Sequence, residues 1–168
     1  MLSIKTLLSG LFISTFFILI ANASGTYASK EIGDWTVVRS IDPLDGPYCY
    51  MFSSPYRTKA YADSRDGAYL LIANKGMGLS IGAGSAFELS TTKGYILKVN
   101  QRSHLLNVSN ADSSNTYSAI QDKAILNDMI KDGSNFQIRS YSNNDQVAVD
   151  YYSLKGFTDA LKFTKACN

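Results

Sequence analysis

One histidine and two cysteines are the residues of this chain best suited to chemistry. His104 is the only histidine, and a catalytic triad would need it within reach of a serine and a carboxylate. Its position at the start of the apolar segment 104–108 favours a structural or surface role instead. Because the chain has no second histidine, we expect no metal site built from histidine and cysteine, and no cofactor.

The two cysteines, Cys49 and Cys167, stand near opposite ends of the chain. Each is the only intrachain partner for the other, so an oxidising compartment would join them in one disulfide. Two free buried thiols are the alternative. In the chain-entropy model, closing so long a loop stabilises a fold by about 4 to 5 kcal/mol.

Other polar or glycine-rich segments could hold ligands, but each has a simpler interpretation. Residues 76–85 are rich in glycine, yet they match neither the dinucleotide fingerprint nor the P-loop. Glycines that relieve crowding at a bulge or an edge explain them. The loop 109–115 offers oxygen ligands without an EF-hand pattern. We expect Asp128, Asp132 and Asp150 to lie on solvated faces.

Tyrosine is unusually frequent, with 11 in 168 residues. Tyrosine suits adaptable protein or sugar contacts, because its ring gives contact area at low entropic cost. The alternative is that tyrosine is simply a favourable strand residue. The tyrosines in question form a cluster in the first half and a pair near the C terminus: Tyr48, Tyr50, Tyr56, Tyr61, Tyr69, Tyr151 and Tyr152.

The first 23 residues have the pattern of a signal peptide. Lys5 supplies a positive start, residues 7–20 form an uncharged apolar run, and residues 21–23 are a small-x-small cleavage site. The run is shorter than the roughly 20 residues that span a bilayer, so a retained anchor is the weaker alternative. We therefore expect cleavage after Ala23, with a cut after Ala28 as the alternative. The mature form would not span a membrane and would be periplasmic, associated with the outer membrane or secreted.

The length and net charge of the predicted mature chain indicate one nearly neutral domain. Removing residues 1–23 from 168 leaves 145, residues 24–168, the usual size of a single domain. The formal charge of the full chain is +2, and loss of Lys5 lowers it to +1. Lysines and arginines are scattered singly along the sequence. This balance gives no electrostatic case for binding nucleic acid or an anionic membrane.

Short segments with strand patterns recur along the chain and are separated by turn residues. Residues 24–32 have the composition of a loose lead-in, and residues 56–66 that of a polar connection. Two short helices are predicted at about 121–132 and 157–165. The fold class is therefore mainly β, as an antiparallel sandwich or a partly open barrel. The predicted strands are 33–39, 48–53, 68–73, 77–83, 86–90, 95–100, 104–108, 116–120, 136–141 and 147–154.

Several short motifs occur in order over nearly the whole mature chain. They are Gly33-Asp34-Trp35-Thr36, Cys49-Tyr50-Met51, Ser54-Pro55, Arg65-Asp66-Gly67-Ala68-Tyr69-Leu70-Leu71, a helix through Met129 that ends at Lys131-Asp132-Gly133, Tyr152-Ser153-Leu154-Lys155-Gly156-Phe157, Ala160-Leu161 and Ala166-Cys167. In this order they resemble the invasion-associated locus B family of bacterial exported proteins. Many members have further cysteines, including one shortly after the tryptophan, whereas this chain resembles the branch with a single terminal pair.

The resemblance implies an exported, mostly β domain associated with host-cell entry and virulence, and it implies no catalytic residues. We expect a non-enzymatic binding protein of the envelope, with an unidentified protein or glycan partner at the envelope or a host surface. A secreted hydrolase that uses His104 is one alternative, and an envelope structural or chaperone-like factor is another. The motif positions with an expected structural role are Trp35, Tyr152, Ser153, Leu154, Gly156, Phe157 and Leu161.

Overall fold

The structure is a computed structural model, and it describes residues 26–42, 46–60, 67–74, 78–85, 87–90, 92–108, 115–118 and 122–166. No helix in these ranges is long and apolar enough to cross a membrane. The predicted signal peptide, residues 1–23, lies outside the described residues. The described elements are β1 (Thr26–Ile32), β2 (Trp35–Asp42), β3 (Gly46–Ser53), β4 (Arg57–Ala60), β5 (Tyr69–Asn74), β6 (Leu79–Gly84), β7 (Tyr95–Val99), β8 (Arg102–Val108), β9 (Asn115–Ser118), α1 (Asp122–Asp132), β10 (Asn135–Tyr141), β11 (Val147–Ser153) and α2 (Phe157–Lys165).

The described strands pair in the order β1-β2-β3-β5-β6-β9-β8-β7-β10-β11-β4, and neighbours are antiparallel. Sheet A contains β1, β2, β3, β5, β6 and β9, whereas sheet B contains β7, β10, β11 and β4. Strand β8 joins the two sheets because it pairs with both β9 and β7. The order ends at β1 and β4, so the described strands form two antiparallel sheets and not a closed barrel. The predicted mainly β, sandwich-like fold is confirmed, as are its two helices.

One core fills the space between the sheets and under the helices. Strand side chains point alternately to opposite faces, so one apolar set from each sheet faces inward. The ring centroids of Trp35 on β2 and Phe136 on β10 lie 6.5 Å apart, and Tyr152 on β11 stacks on Phe136 at 4.9 Å. The helices close this core with an apolar side of each: Ile125, Leu126 and Met129 from α1, and Phe157, Ala160 and Leu161 from α2.

Two segments predicted to be irregular are strands at the edges of the sheets. Residues 26–32 form β1, which pairs with β2, and residues 57–60 form β4, which pairs with β11. Both segments are polar, because an edge strand has one neighbour and leaves most side chains in solvent. The apolar alternation by which strands are recognised is therefore absent. The strand predicted over 86–90 is wrong for its described residues 87–90, which belong to no named strand and contribute only the bridge Leu89↔Ser142.

Candidate functional site

A polar cluster lies between β8 and the buried side of α1. Nε2 of His104 lies 3.0 Å from Oδ2 of Asp128, and Nη1 of Arg102 donates to Oδ1 at 2.7 Å. His104 is 9% exposed and Asp128 is 7% exposed, while the Arg102 side chain is 70% exposed. When the Asp128 carboxylate is ionised, Nε2 of His104 is the donor in this contact, because an ionised carboxylate only accepts hydrogen bonds.

The prediction that Asp128 lies on a solvated face is wrong. The core positions Ile125 and Met129 define the buried side of α1, and Asp128 follows Ile125 by three residues, which places it on that side. Burial of its carboxylate is tolerated because His104 and Arg102 replace the hydrogen bonds of water. The side chain of Asp132 lies outside the described residues.

A cavity of about 380 Å³ opens beside this cluster. Its lining consists of Val99, Asn100, Gln101, Arg102, Asp128 and Lys131, and does not include His104. A catalytic triad needs a histidine with one ring nitrogen toward the acid and the other toward a serine at the substrate. Asp128 engages Nε2 of His104 as such an acid would, but the His104 ring is covered and lines no part of this cavity. This geometry is that of a histidine held in place by a buried carboxylate.

Asp150 is a second carboxylate whose predicted exposure is wrong. It is 1% exposed on the inner face of β11, where Oγ1 of Thr58 donates to Oδ1 at 2.8 Å. Strand β11 does alternate, but the set that faces the core is Ala148, Asp150 and Tyr152. The hydrogen bond from Thr58 helps to offset the desolvation of Asp150 and ties the edge strand β4 to sheet B.

The motif residues from the two ends of the described chain meet at one junction. Nε1 of Trp35 donates to the carbonyl of Ser153 at 3.1 Å, and the Trp35 ring contacts Phe157 edge-on, with centroids 5.1 Å apart. These motif side chains therefore hold the core together. Those at most 4% exposed are Trp35, Tyr152, Leu154, Phe157 and Leu161, whereas Ser153 and Gly156 are half-buried. A cavity of about 470 Å³ next to the junction is lined by Asp34, Ser53, Ser54, Tyr56, Asn135 and Ser153.

The glycine-rich segment contributes strand β6, which is paired on both sides with β5 and β9. A Cβ on Gly84 would collide with the ring of Tyr69 on β5. This glycine therefore relieves crowding as predicted, although in a central strand instead of at a bulge or an edge. Residues 109–114 of the candidate cation loop, and Tyr61, lie outside the described residues.

Cys49 is fully buried on β3, and Cys167 lies outside the described residues, so their disulfide stays a prediction. The described contacts do bring strands β3 and β5 close to the C-terminal end of α2. Cys49 pairs with Asn74 across the ladder between β3 and β5. Nδ2 of Asn74 donates to the carbonyl of Thr164 at 3.2 Å, and Thr164 precedes Cys167 by three residues.

The outer face of sheet A carries a row of aromatic rings. Tyr48, Tyr50 and Phe52 alternate along β3, and successive ring centroids are 5.8 and 6.3 Å apart. Burial raises the pKa of Tyr50 above its ordinary value, and the neighbouring Tyr48 phenol raises it further. A cavity of about 280 Å³ borders the row and reaches Tyr69. We call Tyr48, Tyr50, Phe52 and Tyr69 the aromatic face.

The outer face of sheet B collects basic side chains that are scattered along the sequence. The strand register places two rows side by side, Arg57-Tyr151-Gln137-Lys98 and Lys59-Val149-Arg139-Ile96. We call the four exposed cations Arg57, Lys59, Lys98 and Arg139 the cationic face. Each occupies an outward position of its strand. For Lys98 and Arg139 that parity is readable from the sequence, but β4, which carries Arg57 and Lys59, was not predicted as a strand. The order of the strands is not readable from the sequence either, so the sequence did not reveal the grouping.

Comparisons with known proteins support the fold. No protein-family model and no curated protein matches the chain. The crystal structure of invasion associated protein B from Bartonella henselae is similar, with a TM-score of 0.61 over 83% of this chain and 96% of that chain. The two sequences are 14% identical, so the likeness shows a shared fold alone.

Proposed function

We propose that this chain is an exported bacterial envelope protein that works by binding and not by catalysis. The aromatic face is the observation that best supports this function. Half-buried tyrosine rings on a sheet, beside a cavity of about 280 Å³, offer contact area to a protein or glycan partner. The fold shared with a protein named for invasion supports a contribution to host-cell entry.

Export is proposed from the leader pattern of residues 1–23 and from the cysteine pair. A cut after Ala28 would remove the first three residues of β1, whereas a cut after Ala23 would leave the strand whole. The intact strand favours Ala23 as the cleavage point. N-terminal sequencing of protein recovered after export should begin at Ser24, and a start at Ser29 would contradict this choice.

The binding role can be tested with a photo-crosslinking amino acid in place of Tyr48. In intact bacteria and in contact with host cells, this position is expected to cross-link to a few discrete partners. The same amino acid in place of Thr158, exposed on α2, is the matched control. Equal cross-linking from both positions, or none from either, would count against the aromatic face. A deletion strain complemented with Tyr48→Ala should also enter host cells less well than one complemented with the unaltered chain.

The two alternatives predict different outcomes in the same assays. A hydrolase that uses His104 should lose its biological activity in His104→Ala at unchanged folded fraction, whereas a binding protein should keep it. An envelope structural or chaperone-like factor should cross-link to many envelope proteins through Tyr48. We propose that His104 is structural, because its side chain is covered and does not line the cavity beside the cluster.

A further inference from the structure

The cationic face gathers like charges, and none of the eight described residues in its two rows is a carboxylate. Its two rows hold four exposed cations, and Asp150, the carboxylate of β11, points into the core instead. Neighbouring strands lie about 4.8 Å apart, so Arg57 and Lys98 are roughly 14 Å apart and Lys59 and Arg139 roughly 10 Å. Together these cations make the potential over this face positive, and an anionic partner laid over them would neutralise it.

A cavity of about 230 Å³ opens at one border of this face, next to Lys98. It is lined by Lys98, Asn100, Asn135, Phe136, Gln137 and Tyr151. Three of these side chains are amides, and an amide both donates and accepts hydrogen bonds, as the hydroxyl groups of a sugar do. The cavity therefore combines groups that fit a sugar ring with a lysine that fits an acidic substituent.

Arg57 is held in position at one end of the face. The centre of its guanidinium lies 4.0 Å from the centroid of the Tyr151 ring, which is a cation–π contact. Stacking restricts the guanidinium plane and leaves N–H groups free to bind two oxygens of a carboxylate or sulfate. Because the side chain is already ordered, less conformational entropy is lost when an anion binds.

We infer that the cationic face binds an acidic polysaccharide whose sugars carry carboxylate or sulfate groups. The polysaccharide would lie across the strands from Arg57 toward Lys98, with one sugar in the amide-lined cavity. A nucleic acid backbone or a lipid surface would also satisfy the four cations, but the phosphates of neither account for the neighbouring cavity lined by Asn100, Asn135 and Gln137. The cationic face is separate from the aromatic face, so this binding does not depend on the partner proposed there.

Direct binding of a labelled heparin oligosaccharide to purified protein, expressed as the full chain, tests this site. The affinity should fall steeply between about 50 and about 200 mM salt, because bound cations are released from the polyanion. Arg57→Gln/Lys98→Gln should weaken binding by about tenfold or more, since two charge-assisted contacts are lost. The matched control, Lys123→Gln/Lys165→Gln, removes two exposed helix lysines and should stay within about twofold of the unaltered protein.

A second variant separates a sugar site from a general polyanion surface. Gln137→Ala should weaken heparin binding by about fivefold and leave binding of single-stranded DNA of equal charge unchanged. The assignment would be overturned if heparin did not bind, or if the two double variants lost heparin affinity equally. It would also be overturned if DNA or phosphatidylglycerol vesicles bound as tightly as heparin and Gln137→Ala left heparin binding unchanged. If heparin binds but the aromatic face fails its cross-linking test, the aromatic face is rejected as a partner surface and the cationic face is still supported.

Discussion

Gly33 and Gly156 lie against each other where the two ends of the described chain meet. A Cβ on Gly33 would collide with the carbonyl of Lys155, and a Cβ on Gly156 would collide with that of Ile32. Both glycines have positive φ, +63° and +81°. The backbone N–H of Asp34 donates to the Lys155 carbonyl at 3.0 Å, so the two turns are joined backbone to backbone. These two motif glycines are therefore explained by packing, and no chemistry is needed to account for them.

Alanine at either glycine is expected to destabilise the fold strongly. Gly33→Ala or Gly156→Ala should lower the free energy of unfolding by about 3 kcal/mol or more, because the positive φ and the backbone collision both act. Urea unfolding measures this loss. Gly133→Ala is the control, since Gly133 also has positive φ, +69°, but a Cβ there meets nothing within 4 Å. That variant should lose about 1 kcal/mol. Equal losses at all three positions would rule out the collision.

The sequence predicted the central strands because their own residues carry the signal. Met51 and Ser53 on β3, and Phe136 and Ile138 on β10, alternate with less buried positions, as the strand period requires. The same rule failed at β1 and β4. An edge strand is specified by the partner that its backbone bonds to, and no local apolar pattern records that partner.

The polar contacts of the interior could not be predicted for a related reason. A carboxylate without a partner is costly to bury, so exposure is the correct expectation for an isolated aspartate. Burial becomes acceptable only when donors arrive from elsewhere in the chain. Thr58 is 92 positions from Asp150, and Arg102 is 26 positions from Asp128. The cationic face depends in the same way on strand order.

The predicted disulfide should contribute much of the stability. Cys167→Ser should lower the free energy of unfolding by about 4 kcal/mol, the value expected for a loop of this length. Thermal unfolding with and without reductant measures the difference. Asn74 is the ladder partner of Cys49, and its hydrogen bond to Thr164 supports a bridge at this place.

Cys167→Ser is the cleaner variant for this test, because Cys49 is fully buried and a serine there would also bury a hydroxyl group. The unaltered protein in reductant should melt like Cys167→Ser, and it should change mobility on a non-reducing gel. A melting temperature of the unaltered protein that is the same with and without reductant would support two free thiols instead.

The cluster under α1 should depend on Asp128 far more than on Arg102. Asp128→Ala leaves His104, 9% exposed, without its hydrogen-bond partner and should lower the free energy of unfolding by about 2 kcal/mol. The Arg102 side chain is 70% exposed, so Arg102→Ala should lose less than about 1 kcal/mol. Urea unfolding compares the two. If Arg102→Ala were the more damaging variant, the carboxylate would be stabilised mainly by the arginine and not by the buried histidine.

Tyr50 should make the stability of the fold sensitive to alkaline pH. The pKa of its phenol in the folded chain lies above the ordinary value of 10.0, because burial and the nearby Tyr48 both disfavour the phenolate. As the pH rises, the unfolded chain therefore loses this proton first. The stabilisation is fully present below pH 10.0 and is lost as the pH rises through the folded pKa.

Urea unfolding between about pH 9 and about pH 11 tests this dependence. Tyr50→Phe has no phenol at this position, so its free energy of unfolding should fall less steeply than that of the unaltered chain. Tyr56 is 58% exposed, and Tyr56→Phe, the control, should follow the unaltered chain. If the free energies of unfolding of Tyr50→Phe and Tyr56→Phe fell equally steeply with pH, the Tyr50 ring would be hydrated in the folded chain. The aromatic face would then offer a partner much less surface that is already partly dehydrated.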